Sequence, residues 1–193
     1  LSAAGLAQPD ADSNDALALT VLSAVLSGFD GARLPRALTL TADSVADDVG
    51  ADYSLSGRSG PKLFTLYGLP AAGKTSAMVE AALRAQVALV AKSGVTEAEL
   101  ARVKNQWVAG EVYQQDSVFS QARNLGANWI QGFPLDTEQR LLERLRGVTA
   151  AQVQAVAAKY FGDDALTVAT LLPQPVGAPR AARPSLPGVR HDD

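Results

Sequence analysis

Apolar residues recur three or four positions apart through most of the chain, which is the spacing of one face of an α-helix. The pattern predicts helices over 13–28, 32–40, 74–92, 136–148 and 149–161. Another helical stretch runs from Thr96 to about Gly132, and we expect it to break near Asp116. Thr96 with Glu99, and Thr149 with Gln152, have the spacing of capping boxes, in which each side chain satisfies the other residue's backbone amide.

Three segments have the alternation or the apolar run of a β-strand. The clearest is "KLFTLYGLP", in which Phe64 and Leu66 share one face while Leu63, Thr65 and Tyr67 share the other. "VADDVGADYSLSGRSG" precedes it, and a turn near Gly57 to Gly60 would join the two in a hairpin. "DALTVATLLP" is predicted as a final strand. Because strands and helices are partly segregated along the chain, we predict an α+β fold with a mainly antiparallel sheet backed by helices.

Composition narrows the possible functions. The 193 residues carry a net charge of -3, so there is no basic surplus to hold nucleic-acid phosphates. No apolar run approaches the ~18 residues that a membrane-spanning helix needs, so we expect no membrane span. The chain has no cysteine and one histidine, His191, which disfavours thiolate metal sites, Ser-His-Asp triads and multi-histidine zinc sites.

Residues 174–193 differ from the rest of the chain. They are rich in proline, alanine and arginine, and they include His191. We interpret residues 1–173 as one domain and 174–193 as a tail. The chain begins at Leu1 without a signal peptide, so we expect it to be a segment of a longer protein.

One short motif points to a different chemistry. "GLPAAGKT", from Gly68 to Thr75, fits the phosphate-binding loop G-x-x-x-x-G-K-[ST] and stands between a predicted strand and a predicted helix. A nucleotide hydrolase also needs an acidic residue after an apolar strand to hold magnesium, and several βαβ units, neither of which the pattern shows. We therefore favour a strand-to-helix turn, in which Pro70 leaves the sheet, Gly73 permits the bend and Thr75 or Ser76 caps the helix. A nucleotide-binding protein stays as an alternative.

Four segments together resemble the non-catalytic, second-domain module of the insulinase/pitrilysin family of zinc metallopeptidases. They are "DALALTVLSAVLSG" followed by "ARLPRAL", "FTLYGLPAAGKTSAMVEAAL", "GVTEAELARVKNQ" and "RLRGVTAAQVQAVAAKYFGDDALTVATLLP". Their order and spacing match the family over roughly residues 10–173. In that alignment "GLPAAGKT" falls where relatives have a turn between a strand and a helix.

The resemblance implies an α+β module that forms part of a clamshell around a peptide substrate. Another domain, in the same polypeptide or in a partner subunit, would carry H-x-x-E-H and bind the zinc. Its glutamate would activate a water for attack on the peptide bond. This chain lacks that motif, so no catalytic, metal or cofactor residue carries over to it, and whether it forms part of an enzyme depends on its partner.

Many relatives also supply an Arg and a Tyr, spaced by seven, that hold the substrate near the zinc. That spacing fails here, because Ala46 stands seven positions before Tyr53. Tyr53 and Arg36 are the nearest candidates for substrate contact, although packing within the sheet is the simpler interpretation of Tyr53. Trp107 and Trp129 lie in helical patterns and are predicted to pack in the core or at a domain interface.

Three expectations follow from the resemblance and the composition together. We expect a periplasmic or secreted bacterial protein, because alanine is abundant and cysteine absent. A dimer is compatible with this family. The alternative within the same fold is a structural core-subunit module of an assembly that contains no protease.

Overall fold

The computed structural model describes residues 2–3, 14–53, 62–115, 117–130 and 132–172. Seven helices and a three-stranded sheet are present in these ranges. The strands are β1 (Ser2–Ala3), β2 (Ala46–Tyr53) and β3 (Phe64–Pro70). The helices are α1 (Asp15–Ser27), α2 (Arg33–Leu38), α3 (Ser76–Ser93), α4 (Glu97–Gln115), α5 (Val118–Ile130), α6 (Thr137–Arg146) and α7 (Ala150–Tyr160).

The sheet is antiparallel throughout, in the order β1-β3-β2. Strands β2 and β3 pair from Tyr53 opposite Phe64 to Ala46 opposite Pro70, with one irregularity at Asp47. The predicted hairpin is confirmed as a strand pair, while its turn near Gly57 to Gly60 lies outside the described residues. The predicted α+β fold is likewise confirmed.

Helices cover one face of this sheet. Phe64 and Leu66 share one face of β3 as predicted, and this face is the one buried under α1, α3 and α7. Gly68 on the same side lies so close to α3 that an added Cβ would stand 2.5 Å from Val79 Cγ1. Helix α1 is buried on most sides because α2, α4, α6 and α7 as well as the sheet pack around it. This one-sided arrangement leaves the opposite face of the sheet without a helix among the described residues.

The helix ends follow the predicted capping. Thr149 and Gln152 form a complete capping box at α7, and Thr96 and Glu99 form one at α4. The break expected near Asp116 is confirmed, because α4 ends at Gln115 and α5 begins at Val118.

The predicted final strand is wrong in the described residues. The segment "DALTVATLLP" begins in a short 3-10 turn, Asp163–Ala165, and continues to Leu172 without a strand. Its one β-bridge is at Thr167, and Leu171 and Leu172 are exposed. Alternating apolar residues form a strand only where a neighbouring strand accepts their backbone hydrogen bonds, and the described chain provides such pairing at a single residue.

Candidate functional site

On the side of β2 and β3 that no described helix covers, apolar, aromatic and acidic side chains are exposed. We call this side the open sheet face. Its outward-facing residues are Leu63, Thr65, Tyr67 and Leu69 from the β3 segment, and Asp48, Gly50 and Asp52 from β2. Tyr67 is 47% exposed and Leu69 is 59% exposed. Apolar, aromatic and carboxylate groups therefore meet on one surface.

Gly50 and Tyr67 are cross-strand partners at the centre of this face. The Tyr67 ring lies directly over Gly50, where an added Cβ would stand 2.2 Å from ring atom Cζ. A residue with a side chain at position 50 would push the ring away from the sheet. The glycine thus fixes how the tyrosine is presented, with the exposed carboxylates of Asp48 and Asp52 on either side of Gly50 along β2.

The groups on this surface can form hydrogen bonds and apolar contacts with a ligand. Carboxylates accept hydrogen bonds from amides or cationic side chains, and a tyrosine offers an apolar ring and a polar hydroxyl. No group of three or more His, Cys, Asp or Glu side chains in the described part of the chain could hold a metal ion.

The stretch from Gly68 to Thr75 forms a strand-to-helix turn. Strand β3 ends at Pro70, and Gly73 has φ +76°, in the left-handed region that favours glycine. Thr75 is the N-cap of α3, and its hydroxyl accepts a hydrogen bond from the Met78 amide. Lys74 Nζ lies 2.6 Å from Asp43 Oδ1, so the lysine charge is paired with a carboxylate. The strand before this turn belongs to an antiparallel sheet, which differs from the parallel βαβ arrangement of nucleotide hydrolases.

Tyr53 and Arg36, the candidates for substrate contact, lie in different surroundings. Tyr53 is buried, its ring stacks on Phe64 with centroids 6.0 Å apart, and burial raises its pKa. Its hydroxyl has no hydrogen-bond partner in the described chain. The Arg36 side chain is 65% exposed and reaches Glu99 at 4.0 Å. Packing explains Tyr53 in this conformation, while a substrate contact of either residue stays a prediction.

A partly buried ion pair that the sequence pattern did not reveal joins α2 to α4. Arg33 donates from Nε and Nη2 to the two carboxylate oxygens of Glu99, at 2.7 and 2.8 Å, and also from Nη2 to the Gly94 carbonyl at 3.0 Å. Hydrogen bonds from Arg33 and from Thr96 lower the pKa of Glu99 from 4.5 to about 2. The capping box identified Glu99, but nothing local could identify a partner 66 positions away.

A second cluster joins the start of α1 to the end of α7. Lys159 Nζ and the Tyr160 hydroxyl both donate to Asp15 Oδ2 at 2.8 Å. These two hydrogen bonds lower the pKa of Asp15, while burial and the carboxylate raise the pKa of Tyr160. Because the three side chains bind one another, the cluster connects helix α1 to helix α7.

The two tryptophans have different environments. Trp107 is partly buried against the core, as predicted for core packing. Trp129 is 72% exposed on α5, so a core position is wrong for it and an interface position stays a prediction. In the part of the chain that the structure describes, no helix has the length and apolarity needed to cross a bilayer.

Comparison with known proteins agrees with this architecture. The family model described as "Peptidase M16 inactive domain" matches residues 3–107, which is more than half of the chain. No curated protein sequence matches significantly.

Three solved structures share the fold at 19–21% sequence identity. A candidate zinc protease from Bordetella pertussis aligns over 86% of this chain and 89% of its own, with a TM-score of 0.71 and 19% identity. A protease from Helicobacter pylori aligns over 80% of this chain and 37% of its own, with a TM-score of 0.66 and 21% identity. The peptidase M16 inactive domain from Pseudomonas fluorescens aligns over 79% and 36%, with a TM-score of 0.62 and 21% identity.

The last two structures are more than twice as long as the region they share with this chain. The resemblance first suggested by four sequence segments is thus supported independently by a family model and by the fold. The chain belongs to the peptidase M16 family, the insulinase/pitrilysin zinc metallopeptidases, as an inactive peptidase domain.

Proposed function

We propose that this domain forms one wall of the substrate chamber of a zinc metalloendopeptidase, with the open sheet face directed at the peptide. The observation that carries the proposal is the presentation of Tyr67 over Gly50 between two exposed carboxylates, on the face that no described helix covers. An inactive domain has no catalytic residues of its own, so its contribution to proteolysis is to bind the peptide substrate. The zinc and its H-x-x-E-H motif belong to a partner domain, in the same polypeptide or another subunit.

Periplasmic or secreted location forms part of the same proposal. It rests on the composition of the chain and on the family to which it belongs. Fractionation of the source bacterium with an antibody against this domain would test it. Recovery of the protein in the cytoplasmic fraction would contradict the proposed location.

The chamber proposal is tested in the assembled enzyme. Tyr67→Ala, and separately Asp48→Asn with Asp52→Asn, are introduced into the protein that contains or binds the H-x-x-E-H domain. Loss of binding contacts shared by ground state and transition state raises KM and leaves kcat nearly unchanged. We expect a KM increase of about threefold to tenfold for peptide cleavage, which corresponds to roughly 1 kcal/mol.

Leu89→Ala is the matched control, because Leu89 is 47% exposed on α3, on the helical side of the sheet. Unchanged KM in the sheet-face variants would show that this surface does not meet the substrate. Absence of H-x-x-E-H from both the parent gene and its neighbours would favour the alternative, a structural core-subunit module in an assembly without protease.

A further inference from the structure

Helix α5 packs with its polar side toward the protein. Asn128 is 7% exposed, and its Nδ2 donates to Glu138 Oε1 of α6 at 3.2 Å. Asn124 and Ser120, four and eight positions earlier on the same side, are half-buried. A surface helix ordinarily buries its apolar side, but the apolar side of α5 is turned away from the domain.

The opposite side of α5 is apolar and exposed. Val118 is 82% exposed, Phe119 76%, Trp129 72% and Ile130 71%. Together with Ala122, Leu125 and Gly126 they span roughly 140° of the helix circumference at the ordinary α-helical pitch. We call these seven residues the α5 apolar face. It contains no charged residue, and an apolar patch of this kind on a folded domain marks an interaction surface.

Six residues of this face are arranged in pairs about Asn124, while Leu125 has no apolar counterpart because Arg123 stands at the matching position. Val118 and Ile130 are equally distant from it along the helix, as are Phe119 and Trp129, and Ala122 and Gly126. In these three pairs the large side chains stand at both ends and the small ones in the middle, and Leu125 adds one large side chain near the midpoint. When two copies of such a helix pack antiparallel about a two-fold axis at Asn124, each large residue meets a large residue of the other copy, and Ala122 meets Gly126.

From this self-complementary pattern we infer that the α5 apolar face binds a second copy of the same chain, as an isologous antiparallel helix pair. Gly126 would destabilise an isolated helix by about 1 kcal/mol relative to Ala, and open space surrounds its Cα in the monomer. In the pair it lets the two backbones approach. The absence of charge also suits contact with an identical surface, since no like charges oppose each other.

The available area agrees with a dimer. An aromatic side chain buries about 150–250 Å² when fully covered. Phe119 and Trp129 with the neighbouring aliphatic residues therefore supply on the order of several hundred Å² per copy. Phe133 and Leu135, a few residues after the helix, are exposed as well. This approaches the ~800 Å² per partner of a standard interface.

The oligomeric state tests the inference independently of any protease activity. Sedimentation velocity and light scattering on the purified protein should show a dimer at micromolar concentration. Trp129→Glu should raise the dimer dissociation constant at least about 30-fold, the effect of replacing a large aromatic contact of the interface by a charge. Leu89→Glu, which places the same charge on an exposed apolar site of α3, should leave the dimer intact. Circular dichroism verifies that each variant is folded.

Cross-linking locates the interface. Because the chain has no cysteine, Ala122→Cys introduces a single thiol, which the two-fold axis places about 6 Å from its mate along the helix axis. A short bis-maleimide should join two Ala122→Cys chains. It should not join chains carrying Ala127→Cys, an exposed position on another side of the same helix. A monomer at all concentrations, equal cross-linking of the two variants, or cross-linking of position 122 to a zinc-bearing domain would overturn the inference.

Discussion

Glu99 shows how one carboxylate connects distant parts of this chain. It accepts hydrogen bonds from Arg33 of α2 and from the Thr96 amide at the start of its own helix. Its pKa is about 2 in the folded protein, against 4.5 for an unperturbed glutamate. A lowered pKa means that the stabilisation is complete above pH 4.5 and is lost as the pH falls through about 2.

Glu99→Gln is therefore expected to lower the free energy of unfolding at pH 7 by about 1–3 kcal/mol, because the mostly buried Arg33 loses its charged partner. The variant should also lose less stability than the parent protein between pH 4.5 and pH 2. Urea unfolding at several pH values measures both effects. Glu97→Gln, an exposed residue of the same helical turn, is the control. Equal pH dependence in the two variants would contradict the assignment of the acid-sensitive group to Glu99.

At the scale of elements, the spacing of β3 and α3 depends on the absence of a side chain at Gly68. An alanine there would put its Cβ 2.5 Å from Val79 Cγ1, closer than non-bonded carbon atoms approach. We expect Gly68→Ala to destabilise the domain by about 1–3 kcal/mol through overpacking. Shortening Val79 removes the obstructing atom, so Gly68→Ala combined with Val79→Ala should be less destabilised than the sum of the single variants.

The double-mutant cycle is measured by urea unfolding, and the coupling between the two sites is the quantity of interest. Additive effects would show that α3 is not held at this distance by Gly68. The sequence pattern predicts Gly68 in the strand segment "KLFTLYGLP" and a helix over 74–92 that contains Val79, and both elements are confirmed. It could not show that the two meet, because contact between elements depends on their packing angle and distance.

At the scale of the whole molecule, the fold assigns "GLPAAGKT" to a turn in an inactive peptidase domain. We expect calorimetry with Mg-ATP to give no saturable heat, either for the protein or for Lys74→Ala. The same substitution should change stability by at most about 1 kcal/mol, the usual effect of a surface ion pair such as the one with Asp43. Saturable heat that Lys74→Ala abolishes would reinstate the nucleotide-binding alternative.

Zinc gives a second test at this scale. The chain has one histidine and no cysteine, and zinc sites in proteins use three or four convergent ligands. Elemental analysis of the purified chain should therefore find far less than one zinc per molecule, and peptide substrates should stay intact in its presence. Stoichiometric zinc together with cleavage would contradict a non-catalytic role.

The local pattern of this sequence was sufficient to predict most of its helices and strands. Helical periodicity, the capping residues Thr96 and Thr149, and the common face of Phe64 and Leu66 all depend on the sequence within a few positions, and the structure confirms them. The predicted strand after Asp163 failed for the corresponding reason, since a strand exists only through pairing with a neighbour.

Tertiary structure alone decided which surfaces face outward and which distant charges meet. The partnership of Arg33 with Glu99 and the exposure of Tyr67 over Gly50 join residues that are far apart or opposed across a sheet. The orientation of α5 is the clearest case, because a surface helix with an apolar side ordinarily buries that side. In the folded domain the polar side packs through Asn128, and only the packing of α5 on its neighbours could determine that its apolar side is exposed.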